Sequence, residues 1–110
     1  MGVAAVGSTN VRYANGSARR ALRLWWRAQG LPCQICGREI DYDLPARHPL
    51  SFEVDEKIPV SRGGSPISKE NTGPAHRCCN VWKGAMTLEE ARAKLAMPQG
   101  KAEFQRSGRW

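Results

Sequence analysis

Two pairs of potential metal ligands stand out in the sequence. Cys33 and Cys36 form a Cys-x-x-Cys pair, and His76 and Cys79 form a His-x-x-Cys pair after 39 intervening residues. Two ligands spaced i and i+3 in a turn point at the same ion, and two such turns complete a tetrahedron of thiolates and imidazole that suits zinc. Because a closed set of four protein ligands is typical of structural sites, the spacing predicts a structural Zn²⁺.

The cysteines have two alternative roles, as a redox Cys-x-x-Cys motif or as unrelated buried thiols. A redox motif leaves the second pair unexplained. The cytosolic location that we expect keeps thiols reduced, which favours a metal over disulfides. Cys78 lies two residues from His76, a poor spacing for shared chelation, and we interpret it as a thiol outside the zinc site. It could replace His76 only in an unusual turn.

A second sequence pattern begins between the two pairs and extends over the second pair. It reads FEVDEKIPVSRGG over residues 52–64, continues at Asn71 and ends in AHRCCN over residues 75–80. This order and spacing resemble the HNH endonuclease family, in particular its small zinc-bearing members from bacteriophages and actinobacteria. The resemblance covers roughly residues 32–84, about half of the chain.

The resemblance implies an α+β chain with the small ββα-metal fold, also called the His-Me finger, with a structural zinc and flanking helices. In that fold two short strands, a loop and a helix hold one divalent cation. Asp55 matches the family's metal-binding aspartate, and Asn80 matches the helix position that completes the metal site. Asn71 matches the middle motif position, whose side chain braces the loop and so holds the general base in place.

Glu56 departs from the family pattern, which usually has histidine as the general base at this position. A histidine with a pKa near 6.5 suits neutral pH, whereas glutamate has an ordinary pKa of about 4.3 and is a weaker base. Its negative charge also repels a phosphate. Glu56 is therefore a slower base, a second carboxylate ligand of the metal, or the mark of an impaired site; we favour retained activity.

The charge balance favours a polyanionic partner. The chain has 110 residues with 17 Lys and Arg against 10 Asp and Glu, a formal net charge of +7. Basic residues flank the expected metal site and as a group predict contacts with the DNA backbone: Lys57, Arg62, Arg77 and Lys83. Each of them alone is better explained as a solvated surface charge. Such contacts give salt-sensitive affinity and little base readout.

These residues together predict a metal-dependent endonuclease that nicks or cuts DNA, with structural Zn²⁺ and catalytic Mg²⁺ or Mn²⁺. In a phage, the resemblance implies work alongside the genome-packaging machinery. The alternative is a catalytically impaired zinc-finger DNA-binding protein that has kept the scaffold. A zinc-stapled protein-interaction module fits the charge less well. The sequence does not fix the oligomeric state.

A basic amphipathic helix should precede the first cysteine pair. We expect it to be capped by Ser17, to run to about Gln29 and to end at Gly30. Its apolar face contains Ala18, Ala21, Leu22 and Trp25, and its opposite face contains Arg19, Arg20, Arg23 and Arg27. The arginines are either a phosphate-binding surface or a solvated face. The absence of acidic residues among the first 38 favours phosphate.

The remaining elements follow from alternation and capping signals. We expect a strand over Ser51–Val60, a second over Thr72–Ala75 and a helix starting around Arg77–Asn80. A capping box at Thr87 opens a last helix to about Ala96, on which Glu90 and Lys94 form an i,i+4 ion pair. Trp25 and Trp82 are predicted core residues, because a small domain needs large side chains to fill its interior.

The chain length suits one domain. We expect a flexible segment over residues 1–16, the nuclease domain over 17–96 with its core motif at 32–84, and a loose basic tail over 97–110. No apolar run approaches the roughly 18 residues that a membrane-spanning helix needs, so we expect no membrane association and a cytoplasmic location.

Overall fold

A computed structural model describes residues 15–107 of the chain. These residues form an α+β fold with one two-stranded antiparallel sheet and four helices, as the predicted class requires. In chain order the elements are α1 (Gly16–Gln29), β1 (Phe52–Glu56), a 3₁₀ turn (Val60–Arg62), β2 (Thr72–His76), α2 (Arg77–Lys83), α3 (Leu88–Leu95) and α4 (Pro98–Ser107). None of the described helices is long and apolar enough to cross a bilayer.

Helix α1 begins at Gly16, within the segment that was expected to be flexible; residues 1–14 lie outside the described part. Ser17 is therefore inside the helix instead of capping it, and its hydroxyl accepts a 3.3 Å hydrogen bond from Arg20. The helix ends as predicted at Gly30, which has a left-handed φ of 64° and donates its N–H to the Arg27 carbonyl. Glycine adopts this conformation without steric cost.

Trp26, and not Trp25, connects α1 to the core. The Trp26 indole N–H donates a 2.9 Å hydrogen bond to Thr72 Oγ1 of β2, whereas Trp25 is 37% exposed. Leu22 is the buried residue of α1 and lies four positions before Trp26, a spacing that returns a helix to the same face. The core position predicted for Trp25 is wrong, while Trp82 packs against the core as predicted.

The two strands form an antiparallel hairpin in which Phe52 pairs with His76. β1 ends at Glu56, and not at the predicted Val60, because pairing stops where the chain enters the loop of residues 57–71. β2 and α2 follow one another directly, close to their predicted positions. The hairpin therefore carries the second metal-ligand pair at the point where its second strand becomes a helix.

Helix α3 has the predicted capping box, since Thr87 Oγ1 accepts the Glu90 N–H at 3.1 Å and Glu90 Oε1 accepts the Thr87 N–H at 3.0 Å. The predicted ion pair between Glu90 and Lys94 is wrong. Glu90 pairs with Arg62 at 2.6 Å, and Lys94 pairs with Glu103 at 2.9 Å. An exposed i,i+4 pair contributes only about 0.3–0.5 kcal/mol, so tertiary partners replace it easily.

The C-terminal region, expected to be a loose tail over 97–110, contains helix α4. Phe104 is only 7% exposed and packs edge-on against Trp82, with ring centroids 5.1 Å apart. At Gly100 the helix lies so close to α3 that an added Cβ would be 2.0 Å from the Lys94 carbonyl oxygen. The prediction rested on the basic residues of this region and missed the buried Phe104, so the folded unit extends beyond residue 96.

The hydrophobic core contains the cysteines themselves. Its buried members are Cys33, Ile35, Ile40, Phe52, Ala75, Cys79, Leu88 and Phe104. Cys33 is 2% exposed and Cys79 is fully buried. Whatever occupies the space between these thiols therefore contributes to the packing of the whole fold.

Candidate functional site

The four residues of the two chelating pairs lie together in the structure. The ligand atoms of Cys33, Cys36, His76 and Cys79 are all within 4.8 Å of one another. His76 Nδ1 is 3.4 Å from Cys36 Sγ and 3.7 Å from Cys79 Sγ. This Cys₃His group could hold a metal ion such as zinc, as the spacing predicted.

Backbone amides orient the sulfur atoms of the first pair. The N–H groups of Cys36 and His76 each point at Cys33 Sγ from 3.5 Å, and the Arg38 N–H points at Cys36 Sγ from 3.5 Å. Gly37 closes this turn with a positive φ of 82° and donates its N–H to the Cys33 carbonyl. Amide hydrogen bonds of this kind stabilise the charged thiolate, which is the form that binds metals.

His76 is oriented by a backbone carbonyl. Its Nε2 lies 2.9 Å from the carbonyl oxygen of Glu39, so the Nε2–H donates there and Nδ1 faces the sulfur atoms. A carbonyl partner on the far ring nitrogen is the usual arrangement for a metal-binding histidine. The ring is therefore already in the orientation that a metal ligand requires, with Nδ1 towards the sulfur atoms.

The charges of the cluster also fit a bound cation. Hydrogen bonds from Cys36 and Cys79 hold the pKa of the Cys33 thiol far below its ordinary range, whereas hydrogen bonds with Cys33 and Cys36, together with burial, raise the pKa of Cys79. Burial lowers the pKa of His76, but hydrogen bonds to Cys33 and Cys36 outweigh it and raise it to about 10. Without a metal, these shifts favour a thiolate at Cys33 beside a protonated imidazole at His76. A divalent cation would replace the protons on these buried groups.

Asp55, expected to bind a catalytic metal, lies on the face of β1 that packs against α2. Its carboxylate is 2% exposed and has two partners, since Lys83 Nζ lies 3.2 Å from Oδ1 and Gln34 Nε2 lies 3.0 Å from Oδ2. Lys83 also donates a 2.8 Å hydrogen bond to the Glu56 carbonyl. Burial raises the pKa of Asp55, and the charge of Lys83 offsets this only in part.

Lys83 was predicted to contact DNA phosphates, but in the described conformation it is not on the surface. Its side chain is 2% exposed, and its ammonium group lies inside the fold against Asp55. A buried carboxylate needs a counter-charge, and the last turn of α2 supplies it. Hydrophobic periodicity does not predict a buried lysine, because the carboxylate that pairs with it lies on a different element.

Asn80, expected to complete the metal site, bonds to an acidic residue that the sequence analysis did not select. Its Nδ2 donates to Glu53 Oε1 at 2.9 Å, and Arg77 Nη1 lies 3.4 Å from the other oxygen of Glu53. Glu53 precedes Asp55 by two residues, so both carboxylates lie on one face of β1. That alternation could have identified Glu53. Asn80 and Asp55 thus lie on facing elements, but each has its own partners.

Glu56 lies on the opposite face of the sheet from Asp55. Its side chain lines a cavity of about 180 Å³ between β1 and helix α1. The expected general base and the expected metal ligand are adjacent in sequence, but the described conformation directs Glu56 towards α1 and Asp55 towards α2.

Asn71 bridges the loop that follows Glu56. Its Oδ1 accepts the Ile58 N–H at 2.9 Å, and its Nδ2 donates to the carbonyls of Ile58 (3.0 Å) and Ser65 (2.8 Å). Gly64 is required here, because an added Cβ would lie 1.7 Å from the Ile58 carbonyl oxygen. These are the contacts that a loop-bracing residue needs; the effect on catalysis stays a prediction.

The other residues expected to contact DNA differ in how exposed their side chains are and in whether they already form ion pairs. Lys57 is half-buried, while Arg77 keeps 42% of its side chain exposed beside Glu53. Arg62 donates from Nη1 and Nη2 to the two carboxylate oxygens of Glu90, at 2.6 and 3.2 Å. These hydrogen bonds lower the pKa of Glu90 to about 2. Arg62 is thus already paired with α3, which the sequence did not indicate.

Comparison with models of known protein families, with curated proteins and with solved structures gave no match.

Proposed function

We propose that this chain is a metal-dependent endonuclease of the HNH type that hydrolyses DNA phosphodiester bonds. The observation that carries the proposal is the strand, loop, strand and helix unit of residues 52–83, in which Asp55 and Asn80 lie on facing elements and Asn71 fastens the loop. A purely structural module does not need a carboxylate such as Asp55 on a strand that faces an amide side chain such as Asn80 on a helix.

The oxygen donors of this unit suit Mg²⁺ or Mn²⁺. Asp55 and Asn80 would hold the ion, and the Glu53 carboxylate next to Asn80 is a further donor. Such an ion, when bound, would polarise a phosphate and stabilise the departing oxygen. Lys83 is the competing cation on Asp55, so metal binding requires Asp55 to exchange that partner.

Zinc at the Cys₃His group would have a structural part in the same proposal. Cys79 directly precedes Asn80 in α2, and His76 ends β2. An ion that fixes these two ligands therefore also fixes the start of the helix from which Asn80 projects. Glu56 is the predicted base that accepts a proton from the attacking water; because its side chain faces α1 while Asp55 faces α2, this role requires Glu56 to turn towards the Asp55 side of β1.

A second candidate function is a zinc-stapled DNA-binding module without catalysis. The buried pair of Asp55 and Lys83 favours it, because both side chains are 2% exposed and already neutralise each other. Such a module would bind DNA in a salt-sensitive manner and leave it intact.

A supercoiled-plasmid assay separates the two functions. Purified protein is incubated with plasmid in Mg²⁺, in Mn²⁺ and without added divalent metal; EDTA is avoided because it would also remove zinc. We expect metal-dependent nicking that is lost in Asn80→Ala and kept in the exposed control Gln99→Ala. Zinc content measured by mass spectrometry checks that each variant is folded. Intact plasmid under every condition, with retained DNA binding, would overturn the nuclease in favour of the binding module.

A further inference from the structure

The cavity beside Glu56 has an unusual lining. Helix α1 forms one wall and strand β1 the other, with Pro66 of the loop closing one side. The lining residues are Arg19, Leu22, Arg23, Val54, Glu56 and Pro66. Its volume is about 180 Å³. It is a recess for a small group and not for a whole base or nucleoside.

The two arginines of this cavity are held differently. Arg23 stacks on Phe52, with its guanidinium carbon 4.7 Å from the ring centroid, and its Nη1 donates to the Phe52 carbonyl at 3.3 Å. Arg19 is exposed, and its guanidinium makes no hydrogen bond or ion pair with any residue in the range 15–107. Arg23 is thus already positioned, while the side-chain donors of Arg19 remain available.

The charges in the cavity favour an anion. Neither arginine forms an ion pair with Glu56 within the described part of the chain, although all three side chains line the same cavity. Two guanidinium groups and one carboxylate leave one net positive charge among the apolar walls. Guanidinium groups bind phosphate oxygens through two parallel hydrogen bonds, which makes arginine the residue of choice for phosphate recognition.

We propose that Arg19 and Arg23 bind one phosphate of a DNA strand in this cavity, next to Glu56. The inference rests on the proposed nuclease function for its substrate. It also accounts for the glutamate, since a carboxylate base repels a phosphate and two arginines offset that repulsion. Both arginines precede the segment of HNH resemblance, so the motif residues do not supply this positive charge.

The phosphate site is tested by fluorescence anisotropy with a labelled DNA duplex of about 20 base pairs, without added divalent metal. Replacing an arginine that neutralises a phosphate reduces the number of counterions released on binding and therefore weakens the affinity. We expect Arg19→Gln to weaken binding several-fold and Arg19→Gln/Arg23→Gln to weaken it about tenfold. Arg20→Gln is the matched control, because the Arg20 side chain lies on the same helix, bonds to Ser17 and does not line the cavity. It should change the Kd less than about twofold.

The salt dependence of binding identifies a single phosphate. Each phosphate contact contributes about 0.9 to the slope of log K against log salt. If both arginines share one phosphate, the double variant lowers the slope by about one; a lowering near two would mean two separate phosphates and would overturn the shared site. Melting temperature and zinc content check the fold, and Arg19→Gln remains decisive even if Arg23→Gln loosens the contact with Phe52.

The outcomes distinguish this inference from the nuclease proposal. A wild-type protein that nicks plasmid, with Arg19→Gln and Arg20→Gln binding alike, would remove the phosphate site and keep the nuclease. A wild-type protein that binds without cleaving, with a selective loss in Arg19→Gln, would keep the phosphate site and remove the nuclease. A selective loss seen with single-stranded RNA and absent with duplex DNA would overturn the assignment to DNA.

Discussion

Cys78 and Cys79 are neighbours in the sequence but lie in different surroundings. Cys79 is fully buried within the Cys₃His group, whereas Cys78 is partly exposed and outside it. The i,i+3 spacing from His76 predicted which of the two cysteines joins this group, because a turn brings such residues to one point. These two cysteines therefore provide a matched pair of substitutions at the residue scale.

We expect Cys79→Ala to lose bound zinc and cooperative folding, and Cys78→Ala to keep both. Zinc in comparable small sites contributes about 10–16 kcal/mol of apparent binding free energy, which is as large as the whole net stability of a typical domain, about 5–15 kcal/mol. Zinc stoichiometry by mass spectrometry and near-ultraviolet circular dichroism measure the result. Retention of one zinc per chain in Cys79→Ala, or its loss in Cys78→Ala, would contradict the ligand assignment.

At the scale of elements, the loop of residues 57–71 depends on one side chain. Asn71 makes three hydrogen bonds across it, two of them exposed to water and one partly buried. We expect Asn71→Ala to cost about 1–3 kcal/mol, because each such bond contributes about 0.5–1.5 kcal/mol net and the two exposed bonds lie at the low end of that range. Urea denaturation measures the loss, and amide exchange at Ile58 should become faster.

The exposed neighbour Glu70 supplies the control for this loop. Glu70→Ala changes the same segment without removing any of the bracing bonds, so its stability and its exchange at Ile58 should match the wild type. Equal exchange at Ile58 in both variants would show that the backbone holds the loop without Asn71.

The sequence predicted elements better than the contacts between them. The left-handed Gly30 and the capping box of Thr87 are local signals, and both occur as predicted. The positions of Lys83, Trp26 and Phe104 depend on partners from other elements, and each was missed or misassigned. Local periodicity groups residues on one face of an element, but it does not show which neighbouring element packs on that face. Buried charges and ion pairs between elements therefore cannot be predicted from it.

The candidate site shows the same limit. Spacing alone identified the four residues of the Cys₃His group, since two turns and one ion define a tetrahedron. Asp55 and Glu56 lie on the predicted strand, but the sequence did not indicate which helix each side chain would face. Glu56 faces α1 across the sheet from Asp55, and no motif specifies which helix packs on which face.

For the whole molecule, helix α4 completes the core. Phe104 packs on Trp82, and both belong to the cluster that also contains the buried cysteines. We expect Phe104→Ala to lower the free energy of unfolding by about 3 kcal/mol, the usual cost of deleting a buried aromatic ring. Thermal denaturation of the zinc-loaded protein measures the change.

The comparison for this helix is Met97→Ala, a residue that is 61% exposed. Its effect should stay below about 0.5 kcal/mol, as for most surface substitutions. If Phe104→Ala were no more destabilising than Met97→Ala, α4 would be an appendage and the folded unit would end near residue 96.

The separation of the two chelating pairs also sets an order for biosynthesis. The first pair leaves the ribosome ahead of the second by the 39 residues between them, an interval of about 2–8 s at roughly 5–20 residues per second. During that time the nascent chain carries a half-formed site and exposed apolar residues. Closure of the core must wait for the second pair, so a metal ion at this group can fix the fold only after residue 79 has left the ribosome.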